Sequence, residues 1–212
     1  MGLAHLVDLP DIEGLLWSQS GKIGLTDAGL LSVGRMSRLR SLGVDSIAIS
    51  DAGLAHLRGL SCLERLTIGG ANITDAGLQH ITGLSIMSLT LAGTSITDVG
   101  AEQLVQMTQL ETLDFRGPGI GDKALLRLQK LPKLKSLVLD NTNVTDDGLQ
   151  HLQAMGALER LFLSGPAFTD AGLQHLHSVR SLRRLAVSSR QINPGAVEAL
   201  RAALPKCRID VR

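Results

Sequence analysis

A pentapeptide, Thr-Asp-Ala-Gly-Leu, begins at Thr26, Thr74 and Thr169, and near copies begin at Ser50, Thr97, Gly121, Thr145 and Asn193. Successive starts lie 24, 24, 23, 24, 24, 24 and 24 residues apart. A fixed period of this length restricts the chain to an architecture of stacked, similar units. Upstream of each copy runs Leu-x-x-Leu-x-Leu, as in Leu63-Leu66-Ile68, Leu110-Leu113-Phe115, Leu134-Leu137-Leu139 and Leu158-Leu161-Leu163. Ile12-Leu15-Trp17 and Leu39-Leu42-Val44 extend the series towards the N-terminus, and Ile209 and Val211 fall on its fourth and sixth positions at the other end. Nine strand segments are predicted.

The pattern within a unit dictates its local structure. The last part of Leu-x-x-Leu-x-Leu alternates with period two, which puts its leucines on one face of a short strand. The leucines of Gly-Leu-x-His-Leu-x-x-Leu recur every three residues, which is helical. Thr26, Ser50, Thr74, Thr97, Gly121, Thr145, Thr169 and Asn193 share one position, and all are accepted N-cap types. The last unit has Pro194 where the others have Asp, and proline is favoured at the first helical position. The aspartates that follow the cap (Asp27, Asp51, Asp75, Asp98, Asp122, Asp146, Asp170) then sit in first turns, complementing the helix dipole. A calcium-binding or catalytic carboxylate ladder is the sharper alternative.

The unit Leu-x-x-Leu-x-Leu-x-x-Thr-x-Ile-Thr-Asp-x-Gly-Leu-x-His-Leu-x-x-Leu resembles a leucine-rich repeat over essentially the whole chain. Its second half is similar to the cysteine-containing and GALA-type subclasses, and Thr in place of the usual Asn or Cys points to a bacterial source. The resemblance implies an α/β fold: a right-handed solenoid, or horseshoe, with parallel strands on the concave face and helices on the convex face. Recognition would then lie mostly on the strands. The family's asparagine-ladder position holds Ile47, Ala71, Thr94, Pro118, Thr142, Pro166 and Arg190, none of them Asn. Other groups or water must therefore make the inter-repeat loop bonds, and that flank is expected to be less regular.

One domain over residues 1–212 is expected, of about eight 24-residue units plus a terminal strand. Gly2-Leu-Ala-His-Leu6 repeats Gly53-Leu-Ala-His-Leu57, so the chain begins inside a truncated unit that shows no polar cap. Ser18–Gly24 carries an insertion. At the C-terminus, charges at Lys206, Arg208, Asp210 and Arg212 alternate with apolar residues, which discourages further strand pairing.

Composition narrows the class. Leucine fills 40 of 212 positions while aromatics are only 2%: Trp17, Phe115, Phe162 and Phe168. One medium-sized side chain used so heavily fits one packing solution repeated many times. A formal net charge of +1 argues against a general nucleic-acid or acidic-membrane binder. No apolar run approaches a membrane span, and the N-terminus has no signal-peptide pattern, so a cytoplasmic location is expected. Cys62 and Cys207 have neither metal-ligand nor disulfide-framework spacing.

Chemistry is sparse. His5, His56, His80, His151 and His175 recur at one helical position, but Gln103 and Arg127 interrupt the row, and successive units lie too far apart for zinc's four close ligands. These are read as repeat-consensus residues, with no metal. His177 has no evident partner. No nucleophile elbow or phosphate-binding loop is present, and the Asp-x-Gly-Leu glycines belong to helix starts. No catalytic residue and no cofactor is assigned.

The outward strand positions remain. Most are small and polar, but in the C-terminal half the fifth position reads Val138, Phe162, Ala186, with Arg160, Arg184, Arg183 and Lys135 nearby and Asp114 and Arg116 one strand further back. An aromatic among arginines is the composition of an interface hot spot; alternatively Phe162 packs sideways on Val138 within the sheet. Residues 1–106 carry 6 basic and 10 acidic groups, against 15 and 10 in residues 107–212. The expectation is a non-enzymatic module that binds a protein partner through the C-terminal half of its concave face, without nucleic acid or membrane. A monomer is expected, with self-association through the N-terminal end as the other arrangement. Two further readings are a recognition arm of a larger enzyme or effector (ubiquitin-ligase-like or kinase) whose catalytic part lies elsewhere, and a structural spacer.

Overall fold

A computed structural model of the chain describes residues 11–17, 25–46 and 48–211. The truncated first unit with His5, the insertion at 18–24 and Ile47 lie outside the described residues.

Among the described residues nine strands form one all-parallel sheet in sequential order. They are β1 (Gly14–Trp17), β2 (Ser41–Asp45), β3 (Arg65–Gly69), β4 (Ser88–Ala92), β5 (Thr112–Arg116), β6 (Ser136–Asp140), β7 (Arg160–Ser164), β8 (Arg184–Ser188) and β9 (Arg208–Val211). Between them run α1 (Asp27–Val33), α2 (Asp51–Leu54), α3 (Asp75–Leu78), α4 (Asp98–Leu104), α5 (Asp122–Leu128), α6 (Asp146–Leu149), α7 (Asp170–His175) and α8 (Pro194–Ala203). Three of the shorter helices, α2, α6 and α7, continue as a turn of 3-10 helix, over Ala55–Gly59, Gln150–Ala154 and Leu176–Ser178. This is the α/β solenoid of a leucine-rich repeat. Strands stack ~4.8 Å apart whereas packed helices need ~8–10 Å, so such a stack bends with its sheet on the concave side.

The register follows the leucine pattern. Leu42, Leu66 and Leu89 are successive cross-strand partners, as are Leu113, Leu137, Leu161, Leu185 and Ile209. Every one of them points inward and is buried. From the helix side come Leu54, Leu78, Leu125, Leu149 and Leu173, closing one continuous apolar core. Phe115 and Phe168 belong to that core, at 1% and 2% exposure; Phe168 fills the place held by Ile73, Ile96 and Ile120 in other units.

All eight expected N-cap positions precede a helix with extended backbone; the side chains of Thr26, Ser50, Thr74, Thr97 and Thr169 accept a first-turn N–H, whereas Gly121, Thr145 and Asn193 make no such bond. The aspartates that follow do more than face the helix dipole. Each accepts hydrogen bonds from the cap residue of the next unit. Ser50 donates its N–H to Asp27 Oδ1 at 2.9 Å and its hydroxyl to Oδ2 at 2.6 Å. Thr74 does the same to Asp51, Thr97 to Asp75, Thr145 to Asp122 and Thr169 to Asp146. Asn193 donates its N–H and its Nδ2 amide to Asp170. The glycine of Asp-x-Gly-Leu makes room for this carboxylate: a Cβ on Gly77 would stand 2.3 Å from Asp51 Oδ1. Where the cap lacks a hydroxyl, as at Gly121 and Asn193, the glycine is replaced by Ala124 or Ala196. An aspartate ladder therefore ties unit to unit.

The flank after the strands is held differently. Ser95 Oγ, Asn143 Nδ2 and Gln191 Nε2 donate to the carbonyls of Ala71, Pro118 and Pro166 at 2.7–2.8 Å. These donors stand one residue beyond the ladder position of the sequence pattern, a place that Asn72 holds as well. Gly70, Gly93, Gly117 and Asn141 share a positive φ in the turn just before, which glycine and asparagine tolerate.

Candidate functional site

Two files of side chains run across the outward face of the sheet, from the third and fifth positions of the strand motif. In the fifth-position file, Val138, Phe162 and Ala186 are successive cross-strand partners on β6, β7 and β8. Val138 and Phe162 are half-buried and Ala186 is 9% exposed. The three adjoin Ser136, Arg160 and Arg184 of the third-position file around a shallow depression of about 260 Å³. Both sequence readings of Phe162 thus describe part of its setting: it lies beside Val138 and it also floors an open recess.

The other candidate residues separate into different settings. Arg116 forks onto Asp114, Nε to Oδ1 at 2.8 Å and Nη2 to Oδ2 at 2.7 Å, and lies 3.7 Å from Asp140. The hydrogen bonds to Asp114 push the Arg116 pKa above its ordinary value, so this cluster is charged and internally satisfied. Lys135 pairs with Glu111 at 3.0 Å. It belongs to a second-position file in which charges alternate, as in Arg40 with Glu64. Arg183 lines a separate depression with Arg180, Lys206 and Cys207. Burial pushes the Cys207 thiol pKa up against the opposing charge of Arg183, which keeps that thiol protonated and weakly nucleophilic.

Two residues of the site were read from the sequence only as charges on the terminal edge strand. Arg208 pairs in register with Arg184, and Asp210 with Ala186. Asp210 contacts Arg184 at 3.6 Å and Arg208 at 3.1 Å. The signal was present: once Ile209 and Val211 hold the fourth and sixth positions, Arg208 and Asp210 must hold the third and fifth. At the other end of the face Leu16 is 81% exposed, above the cross-strand partner Gly43.

On the helix side, the Arg58 guanidinium contacts His80 Nδ1, and Gln153 meets His175 Nδ1 at 3.5 Å. Partial burial, then the Arg58 charge, lower the His80 pKa below 6.5. Among the described residues no three His, Cys, Asp or Glu side chains come together as metal ligands would. Nor is any helix among them long and apolar enough to cross a membrane.

A family described as "Leucine Rich repeat" matches residues 130–152, which is one unit around β6 and α6. No curated protein matches the chain. Among solved structures, internalin C2 from Listeria monocytogenes is similar at 22% identity and a TM-score of 0.66, covering 95% of this chain and 81% of that one. The internalin inlF of the same organism is similar at 19% identity and a TM-score of 0.64. That alignment covers 99% of this chain but only 58% of the internalin. At these identities the likeness is one of fold.

Proposed function

We propose that this leucine-rich-repeat solenoid is a single-domain, monomeric protein-interaction module of the GALA-like, bacterial kind, which docks a protein partner on the C-terminal half of its sheet. The carrying observation is the contiguous row Val138, Phe162, Ala186, set in a face whose fifth-position file runs Gly43, Thr67, Thr90 and Asp114 on the strands before it. A rigid parallel sheet presents that row preformed, so little ordering cost falls on this side of a complex. An aromatic that lines a recess with arginines beside it is the arrangement from which interface hot spots are built. Recognition of this kind needs surface complementarity and no covalent step.

The test is retention of a partner from native cell lysate by wild type beside Phe162→Ala, followed by affinity measurement with the retained protein. The substitution is expected to weaken binding by ~2 kcal/mol or more while the melting temperature changes little, because the ring is only half-buried. Unchanged affinity would move the site off this row.

A further inference from the structure

The third-position file changes character along the sheet. On β4, β5 and β6 it holds Ser88, Thr112 and Ser136, so the scaffold itself makes no demand for charge there. On β7, β8 and β9 it holds Arg160, Arg184 and Arg208, which are successive cross-strand partners. Strands lie ~4.8 Å apart, and like charges directly opposite one another destabilise a sheet. Several charges elsewhere on the same sheet have a neighbour of opposite sign, as in Arg40 with Glu64, Lys135 with Glu111 and Arg116 with Asp114, while Arg65 on β3 stands between Ser41 and Ser88 with no second arginine opposite it. Here the compensation is incomplete. Asp210 alone serves both Arg184 and Arg208, and Arg160 has no ion pair among the described residues. The Arg184 and Arg208 side chains are 58% and 74% exposed, and Arg160 is exposed as well.

We infer that this arginine file is the electrostatic half of the docking surface and that its occupant is an acidic segment of a partner protein. The inference rests on the proposed reading of the face as a protein-interaction surface and names the partner's chemistry. Guanidinium groups fork onto carboxylates and hold them by paired hydrogen bonds. The third and fifth positions stand two residues apart along each strand, ~6.6 Å, so a single segment covers both files. Its carboxylates meet Arg160, Arg184 and Arg208, and an apolar side chain settles on Phe162. A nucleic-acid strand fits less well. Single-strand binders offer successive stacking rings, and on β6 to β9 Phe162 stands without a second aromatic in the outward files.

The experiment compares wild type, Arg160→Glu, the triple reversal Arg160→Glu/Arg184→Glu/Arg208→Glu, and Phe162→Ala. Binding is read by fluorescence anisotropy with three labelled probes: a short peptide alternating Glu and Leu, its Lys and Leu counterpart, and single-stranded DNA of matching charge. Wild type is expected to prefer the Glu/Leu peptide and to lose it as salt rises. Arg160→Glu should weaken that binding on the order of tenfold while the melting temperature stays level or rises, since a carboxylate opposite Arg184 relieves repulsion. The triple reversal should switch preference to the Lys/Leu peptide. Equal binding of the Glu/Leu peptide by wild type and the triple reversal would overturn the inference. So would tighter binding of the DNA, or a fall in melting temperature with Arg160→Glu that accounts for the lost binding. Loss of the Glu/Leu peptide with Phe162→Ala but not with the reversals would remove the acidic occupant and leave the apolar row standing; the opposite result would remove the row and leave the arginines.

Discussion

The aspartate at the first helical position is the residue on which the stack most visibly depends. Asp75 accepts both the N–H and the hydroxyl of Thr97, at 2.8 and 2.6 Å, and that hydroxyl in turn accepts from Val99 N–H at 3.2 Å. One carboxylate thus fixes a strand-to-helix turn in the next unit and orients its cap. Asp75→Ala leaves two half-buried donors without a partner and is expected to cost ~1–3 kcal/mol in denaturant unfolding. Gly77→Ala should be comparably harmful, because its new methyl would collide with Asp51 Oδ1. By contrast Ala124→Gly should lose only ~0.5–1 kcal/mol, the ordinary backbone penalty. His80 gives a pH signature of definite sign. Its folded pKa lies below 6.5, so the unfolded chain binds the proton more readily. The stability linked to it is full above pH ~6.5 and declines as pH falls below that value. Replacing His80 by Gln should flatten that part of the profile in a urea titration across pH.

At the scale of strand and helix, sequence and structure agree where periodicity speaks and part where side chains reach between units. The strand register, the caps and the inward leucines were legible because period two, period three and cap chemistry are local patterns. The ladder was not legible as a ladder. Its members stand 22–23 residues from their partners, and a first-turn aspartate already has a sufficient local reason to be there. The flank bonds of Ser95, Asn143 and Gln191 escaped for a related reason: they replace the expected asparagine from one position further on. At the candidate site, Val138, Phe162 and Ala186 fell together because register follows from the repeat. Asp114 and Arg116 did not join them, since their mutual pairing depends on side-chain reach. Leu137 tests the register itself. It is fully buried on β6 between Leu113 and Leu161, and Leu137→Ala should cost ~2–5 kcal/mol through the cavity left behind. A variant that melts like wild type would place that side chain on the outer face.

For the molecule as a whole, each unit touches chiefly the units before and after it, and stability accumulates from these neighbour interfaces. Hydrogen exchange should report this as slow exchange in the central strands β3–β7, each flanked on both sides, and faster exchange in β1 and β9. Equal protection from β1 to β9 would mean that the array opens only as one body. The ladder also has a direction. Every internal unit extends a carboxylate towards the unit that follows it and offers a cap to the unit that precedes it. It is plug on one side and socket on the other. A copied unit therefore fits beside its own template with no new interface to invent, and the array can lengthen by duplication alone. The socket exists in two forms, hydroxyl with glycine or its absence with alanine, and a recombination that mixes halves of the two would produce a joint that does not close.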